Sequence, residues 1–556
     1  MKLTRREFIA GSLVVGGLAG LGNYAGIFAG KAIAGEMLGA SSAIGHQLRE
    51  GKFPEPGRTV HTDVVIVGGG IAGLSAGYTL AKAGKSDFLL LELEGQTGGN
   101  SCGGKNEISA FPWGAHYVPL LTQESTVARK LFVDFGVIKG YDNAGLPIYD
   151  EYFLCADPHE RLYMRGRWQD GLVPATGIGA EVEAEYKRFF GLMEGYKKLK
   201  GRDGKKAFAI PLDKSSQDAE LLALDNITML AWMKGHDFVS EELLWYANYC
   251  CRDDFGTTLE VTSAWAGIHY FASRSGQAAN AGAADVITWP QGNGWLADKL
   301  ASPISGNLHT AALVYRVTEH GKGAVVEYWD QKTGESVRVE AKAVIMAVPR
   351  FVAARLLQPS RPEINVAELA SASRSSAPLS SSPRSSAPWS YAPWVVANIT
   401  LNKLPEGRGA SLAWDNVAYR GDMLGYVNAT HQIPQMHPTQ TVLTYYWPLS
   451  HLPPEEARKE ALARSYAEWQ KLFLDALLSL HPELEGQVQR LDVWVWGHAM
   501  VRPVTGFIWG KHRAQALQQH PPILMAHSDM SGISIFEEAC THGVRAAESV
   551  LKWTGR

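Results

Sequence analysis

The chain is 556 residues long, 46% hydrophobic and 20% charged, with a formal net charge of −3. That length is too great for one small core and implies about two or three domains, and the near-balanced charge gives no reason to expect a nucleic-acid partner. Five cysteines, Cys102, Cys155, Cys250, Cys251 and Cys540, are odd in number and lack C-x-x-C spacing; this argues against a disulfide scaffold or structural zinc, and no metal is expected.

The first element reads as a leader. Arg5-Arg6 stand directly before a Gly-rich apolar run from Ile9 to about Gly30, and Ala32-Ile33-Ala34 supplies a small-residue cleavage pattern. Residues 1–34 therefore read as a twin-arginine (Tat) export signal, with the Tat translocase as a partner during export and the periplasm as destination. The same run is just long enough to span a bilayer, so an uncleaved membrane anchor is the competing reading. Residues 35–60 are a polar, Pro- and Gly-containing lead-in with little to bury.

Residues 61–150 open with a β-α-β pattern. The apolar run Val64 to Val67 leads into Gly68, Gly70 and Gly73, spaced G-x-G-x-x-G, and a second apolar run, Phe88 to Leu91, delivers Glu92 and Leu93. The first glycine permits a tight turn, the second lets backbone approach a pyrophosphate, and the third lets helix pack closely on strand. The helix start at Ile71 and Ala72 offers N–H groups to phosphates, and Glu92 suits a ribose hydroxyl. The unit is built for a dinucleotide.

A second glycine loop, Gly98-Gly99-Asn100, and the segment Gly114-Ala115-His116-Tyr117 follow. Together with Glu92 these motifs resemble the flavin amine oxidase superfamily, which holds monoamine and polyamine oxidases and related desaturases. The resemblance implies FAD as the dinucleotide, with the double-Gly loop and the Gly-Ala-His segment beside it. It also implies an α/β fold: a Rossmann-like FAD-binding domain in separated pieces, with an inserted α+β substrate domain.

Residues 151–284 carry helical spacing, as in Ala180 to Lys198 and Glu241 to Tyr249, and read as a helical first part of the substrate domain. Asp253-Asp254 ends one of these segments, and the pair either meets a cationic substrate or solvates a helix end. Residues 285–366 return to the family pattern. Leu313 to Val317 and Ala324 to Trp329 form a hairpin, in which Val314 is expected to meet the adenine, and Ala343 to Pro349, including Ala347, is a buried strand. Residues 367–388 are Ser/Ala/Pro-rich, cannot supply a core, and are expected to be a mobile surface loop. Residues 389–490, with strands Val395 to Leu401 and Thr441 to Trp447 and a long amphipathic helix Pro454 to Leu480, form the second part of the substrate domain. Residues 491–556 close the FAD domain: Asp529 matches the acidic position that bonds the ribityl chain, and Ser534 and Ile535 precede a helix whose N-terminus faces the pyrimidine end of the ring.

Three departures from the family bear on chemistry. The first lysine after Pro349 is Lys403, with only Arg350 and Arg355 nearby, so an oxidase-type lysine beside the flavin is missing from its usual neighbourhood. Ile508 and Ile535 stand where monoamine oxidases place two aromatic rings, and isoleucines favour an apolar group over a cation. Phe507 stands at the flavin-linking cysteine position, so FAD is expected to be non-covalent. His116, Asp254, His431 and His498 are candidates to touch substrate, and Trp496 and Trp509 flank the Arg502-Pro503 turn near the ring. His527 stands where relatives usually have Gly. The expectation is an exported FAD-dependent oxidoreductase that moves a hydride from a small organic substrate, amine or polyamine favoured, to flavin N5 and then to O2 or a partner electron acceptor. The alternatives are a desaturase or dehydrogenase acting on an apolar substrate, and a non-catalytic flavin-holding assembly protein.

Overall fold

The structure, a computed structural model, describes residues 33–357, 389–434 and 438–554. The leader up to residue 32 and the loop 367–388 lie outside the described residues. Among those described, no helix is long and apolar enough to cross a membrane.

Two sheets organise the molecule. The first runs in the order Leu308–Thr310, Phe88–Glu92, Arg58–Val67, Glu335–Met346, Gly323–Asp330, Ala312–His320, with Ile523–Met525 also paired to Glu335–Met346. Its centre is parallel: Val64 to Val67 pair with Phe88 to Leu91 on one side and Ala343 to Met346 on the other. A parallel strand covered on both faces must be apolar throughout, as Val64-Val65-Ile66-Val67 is. The hairpin turns where expected, with His320 opposite Gly323. One face is covered by the helix Ile71–Lys82 and the last helix, Phe536–Thr554, which pack on each other. Their approach is close enough that a Cβ on Gly543 would lie 2.1 Å from the Ala72 carbonyl oxygen.

The second sheet has eight strands in the order Met37–Leu38, Val488–Val501, Tyr391–Leu401, Thr441–Pro448, Gly425–Asn428, Asp415–Ala418, Glu160–Met164, Arg167–Asp170. Beside it the helices Ala180–Lys198, Glu241–Phe255 and Ala264–Ser273 share a core that includes Phe189, Trp232 and Trp265.

Four details differ from the sequence reading. The lead-in 35–60 is built into the fold: Met37–Leu38 pair with Val493–Trp494, and Arg58 already belongs to the first strand. The segment 151–284 is not purely helical, because the hairpin Glu160–Asp170 joins the substrate sheet, its alternating Leu162 and Met164 buried. The strand Val488–Val501 runs across position 490, so that boundary falls inside one element of the substrate sheet. The helix expected over Pro454 to Leu480 is two, Pro454–Ala463 and Tyr466–Leu480. The second starts at a capping box in which the Ser465 hydroxyl accepts from the Glu468 N–H and Glu468 bonds back to the Ser465 N–H.

Candidate active site

A cavity of about 1540 Å³ runs from the glycine turn of the first sheet to the helices beside the second. At its nucleotide end Gly68, Gly70, Ile71 and Ala72 form the wall. A Cβ built on Gly70 meets no protein atom within 4 Å, so the space beside this glycine is open. The first N–H groups of the following helix have no intrahelical acceptor. Gly73 is not on the wall: a Cβ there would lie 1.9 Å from the Gly68 carbonyl oxygen, so its role is to let helix meet turn. Glu92 lines the cavity beside Leu93 and accepts the Gly69 N–H at 2.6 Å and the Glu94 N–H at 2.8 Å. Burial pushes its carboxyl up to about 7, against the pull of these bonds.

Gly98, Gly99, Asn100, Gly114 and Ala115 continue the wall, with Val314 and Ala347 near the sheet and Ser534 and Ile535 ahead of the last helix. Asp529 is buried there, accepting the Arg350 N–H at 2.9 Å and the Tyr391 hydroxyl at 2.6 Å through one oxygen. Its other oxygen lies 3.1 Å from His527 Nδ1, which also accepts the Asp529 backbone N–H at 3.1 Å, so this histidine side chain caps the turn that carries the acid. Burial alone would raise Asp529; its interactions with His527 and these hydrogen bonds outweigh it and hold the carboxyl below its ordinary value. These features fit a dinucleotide: open backbone at Gly70, a helix start, and an acid at the end of the second strand.

The far end is acidic and aromatic. Asp253 and Asp254, on the last turn of Glu241–Phe255, both line it, and Arg274 pairs with Asp254 while lying over the Tyr270 ring, 3.9 Å from its centroid. Burial opposes the Arg274 charge, but Asp254 and the other groups around it raise its pKa well above the ordinary value. Asp253 is pushed up to about 7 by burial first and by Asp254 second. Glu537, 2% exposed, also lines the cavity and is raised to about 7, chiefly by burial. His116 stacks on Tyr446, centroids 4.5 Å apart, and the Tyr446 hydroxyl donates to the Gly114 carbonyl at 3.0 Å. Burial lowers His116 to about 4, so its ring is neutral at neutral pH.

Of the remaining expected residues, Trp496 is on the wall, its indole N–H donating to the Trp113 carbonyl at 2.7 Å. His498 is also there, stacked on Phe351. Ile508 is not. It is 0% exposed inside the helical core, because the turn around Gly506 packs it there and Arg513 binds its carbonyl. Trp509 is likewise off the cavity, its N–H held by Asp225 and its ring edge-on to Trp265. His431 bonds the Ala156 carbonyl at 2.8 Å, away from the cavity. Lys403 is paired with Glu406, and among the described residues the one lysine on the cavity wall is Lys459, 3.3 Å from Glu455. Arg274, Tyr446 and Glu537 went unassigned from sequence; Glu537 lies in the Phe536-Glu537-Glu538-Ala539 motif, and that was its one local signal. No group of three or more His, Cys, Asp or Glu among the described residues is placed to hold a metal.

A family model for flavin-containing amine oxidoreductases matches residues 71–551. The chain belongs to this family. It is an FAD-dependent oxidoreductase related to the amine and polyamine oxidases, and FAD is its bound cofactor. Among solved structures, a double mutant of putrescine oxidase redesigned at its cofactor site is similar at 17% identity and TM-score 0.63, covering 89% of this chain and 100% of the other. Cyclohexylamine oxidase from Brevibacterium oxydans is similar at 15% identity and TM-score 0.60, with coverage of 89% and 100%. A fatty acid isomerase from P. acnes is similar at 14% identity and TM-score 0.58, with coverage of 88% and 98%. These likenesses establish the shared fold. No curated protein matches.

Proposed function

We propose that this flavin amine oxidoreductase oxidises a small organic amine or polyamine, with FAD held non-covalently. The observation that carries the reading is the acidic far end of the cavity. Asp253, Asp254 and Glu537 face a space where Arg274 is the nearby cation and is already committed to Asp254. An excess of carboxylate in a desolvated space favours a cation, and the rings of Tyr117, Tyr446 and His116 suit an ammonium as well. The argument for an apolar substrate rested on two isoleucines, and only Ile535 is on the wall.

When bound, FAD supplies a two-electron acceptor for the hydride that leaves the substrate's α-carbon. Gly68, Gly70, Ile71 and Ala72 would hold its phosphates, Glu92 its ribose, and the Gly114–His116 segment would lie beside its ring. An amine gives up that hydride as the free base, so an ammonium proton must first find an acceptor. Asp253, with a carboxyl near 7, is about half ionised at neutral pH and is suited to take it. His116, neutral and stacked on Tyr446, orients rather than protonates. The non-covalent reading rests on Phe507, which stands at the position of the flavin-linking cysteine. Export to the periplasm by the twin-arginine route is part of the proposal and rests on Arg5-Arg6 and the apolar run after them; a mature N-terminus near Gly35 in a periplasmic fraction is the expected result, and retention of the whole leader in a membrane fraction would reverse it.

The substrate reading is tested by anaerobic titration of the purified yellow protein with monoamines, polyamines, apolar alcohols and fatty acids. Amines alone are expected to bleach the flavin. Bleaching by apolar compounds and not by amines would establish a desaturase or dehydrogenase instead, and no bleaching by any of them would favour an assembly role. Readmitting oxygen and measuring hydrogen peroxide separates an oxidase from an enzyme that uses a partner acceptor.

A further inference from the structure

Before its first long strand the chain straps across both sheets. Met37–Leu38 pair with the Val488–Val501 strand, and the Glu36 N–H donates to Asp492 at 3.1 Å. Ser41 then ties the strap to the nucleotide side, its N–H and hydroxyl donating to the two Glu94 oxygens at 2.8 and 2.6 Å. Ser41, His46 and Arg49 of this strap line the same cavity as Gly70 and Glu92.

The charge around the glycine turn has the wrong sign for a phosphate. Glu92 and Glu94 line that end, and Gly98-Gly99 is followed by Asn100, whose amide is spent on the Ala499 carbonyl. A helix start offers about half a positive charge, which does not by itself balance a dianionic pyrophosphate. Cations line the same cavity from three other elements. Arg458 of the helix Pro454–Ala463 is spent on the Tyr391 and Gly497 carbonyls, whereas Arg49 comes from the strap and Arg355 from the helix Arg350–Leu356, which begins directly after Pro349, where the Arg350 N–H binds Asp529. The Arg355 guanidinium donates to the Leu48 carbonyl at 3.4 Å, joining helix to strap. Among the described residues neither arginine is paired with a carboxylate, while Glu94 is held by Ser41 and Glu455 by Lys459. His46 feels both: burial first, then the charges of Arg49 and Arg355, lower its imidazole below the ordinary value.

We propose that Arg49 and Arg355 form the cationic clamp for the FAD pyrophosphate, which makes the strap ahead of the glycine motif part of the cofactor site. Arginine suits this role, since its planar fork donates two hydrogen bonds to phosphate oxygens. The strap would then couple cofactor retention to the docking of the two sheets.

The test uses the full chain stripped of flavin, with Arg49→Gln, Arg355→Gln, the double variant and Arg49→Lys, each checked for fold by circular dichroism. Dissociation constants for FAD and for riboflavin, which lacks both phosphates, are measured by flavin fluorescence at low and high salt. Each Gln variant is expected to lose about tenfold or more in FAD affinity, with a shallower salt dependence and unchanged riboflavin binding. Arg49→Lys, which keeps the charge but not the fork, is expected to fall between the parent and Arg49→Gln in FAD affinity while keeping the parent's salt dependence. Should the Gln variants fail to fold, the parent protein still decides: its FAD affinity must fall with salt more steeply than its riboflavin affinity. FAD binding as tight as the parent's in the Gln variants, equal losses for FAD and riboflavin, or equal salt slopes for the two in the parent would each overturn the proposal. No amine enters this assay, so its outcome is independent of the substrate proposed above.

Discussion

Asp253→Asn is the sharpest probe of the acidic chamber. With both acids ionised, Asp253, Asp254 and Arg274 carry one net negative charge between them, and asparagine removes it while keeping shape. A hydrogen bond to a charged group contributes about 1.5–3 kcal/mol, so kcat/KM for an amine should fall about 10- to 150-fold. The pH dependence carries a second, independent signature. The parent carboxyl titrates near 7, and it is the ionised form that attracts ammonium and accepts its proton. Flavin reduction by amine should therefore rise as pH increases through about 7. In Asp253→Asn that rise should vanish. Stopped-flow reduction of the flavin under anaerobic conditions between pH 5.5 and 9 measures both effects. An unchanged rate for amines, or a pH limb near 7 that survives in the variant, would refute the assignment of Asp253.

Gly70→Asp should abolish FAD retention, because the space beside Gly70 is open toward the cavity and the new carboxylate would occupy the approach to the pyrophosphate; purification with a full yellow complement would sink the cofactor assignment. Glu537 is a buried acid whose folded pKa, about 7, lies above its unfolded value, so the folded state binds the extra proton. Its stabilising contribution is complete below about pH 4.5 and is lost as pH rises to about 7, a change of about 3 kcal/mol. The flavin-free protein should thus show a Tm that falls between pH 5 and 7, and Glu537→Gln should flatten that slope by calorimetry; an unaltered slope would show that the carboxyl does not titrate in this range.

Legibility from sequence followed the distance over which a signal acts. The glycine turn is set by a few adjacent residues, and Gly68, Gly70 and Glu92 stand on the cavity wall where a dinucleotide-binding unit requires them. Ala180–Lys198 and the hairpin around Gly321 were readable for the same reason, since periodicity and turn chemistry are local. Ile508 and Ile535 show the limit. Both matched a family position, yet a turn around Gly506 sends the first into the helical core, whereas the second, directly before the helix Phe536–Thr554, lines the cavity.

By itself the sequence determined the cofactor class, the central parallel strands and the broken-up order of the nucleotide-binding domain, because each of these follows from motifs a few residues long. Only the tertiary structure decided the character of the chamber and the reach of the cofactor site. Asp253, Arg274 and Glu537 come from three separate elements, and Arg49 and Arg355 are 306 positions apart in the chain. Electrostatic and packing energies depend on distance in space, and no local pattern in the chain records which distant side chains the fold will bring onto one wall.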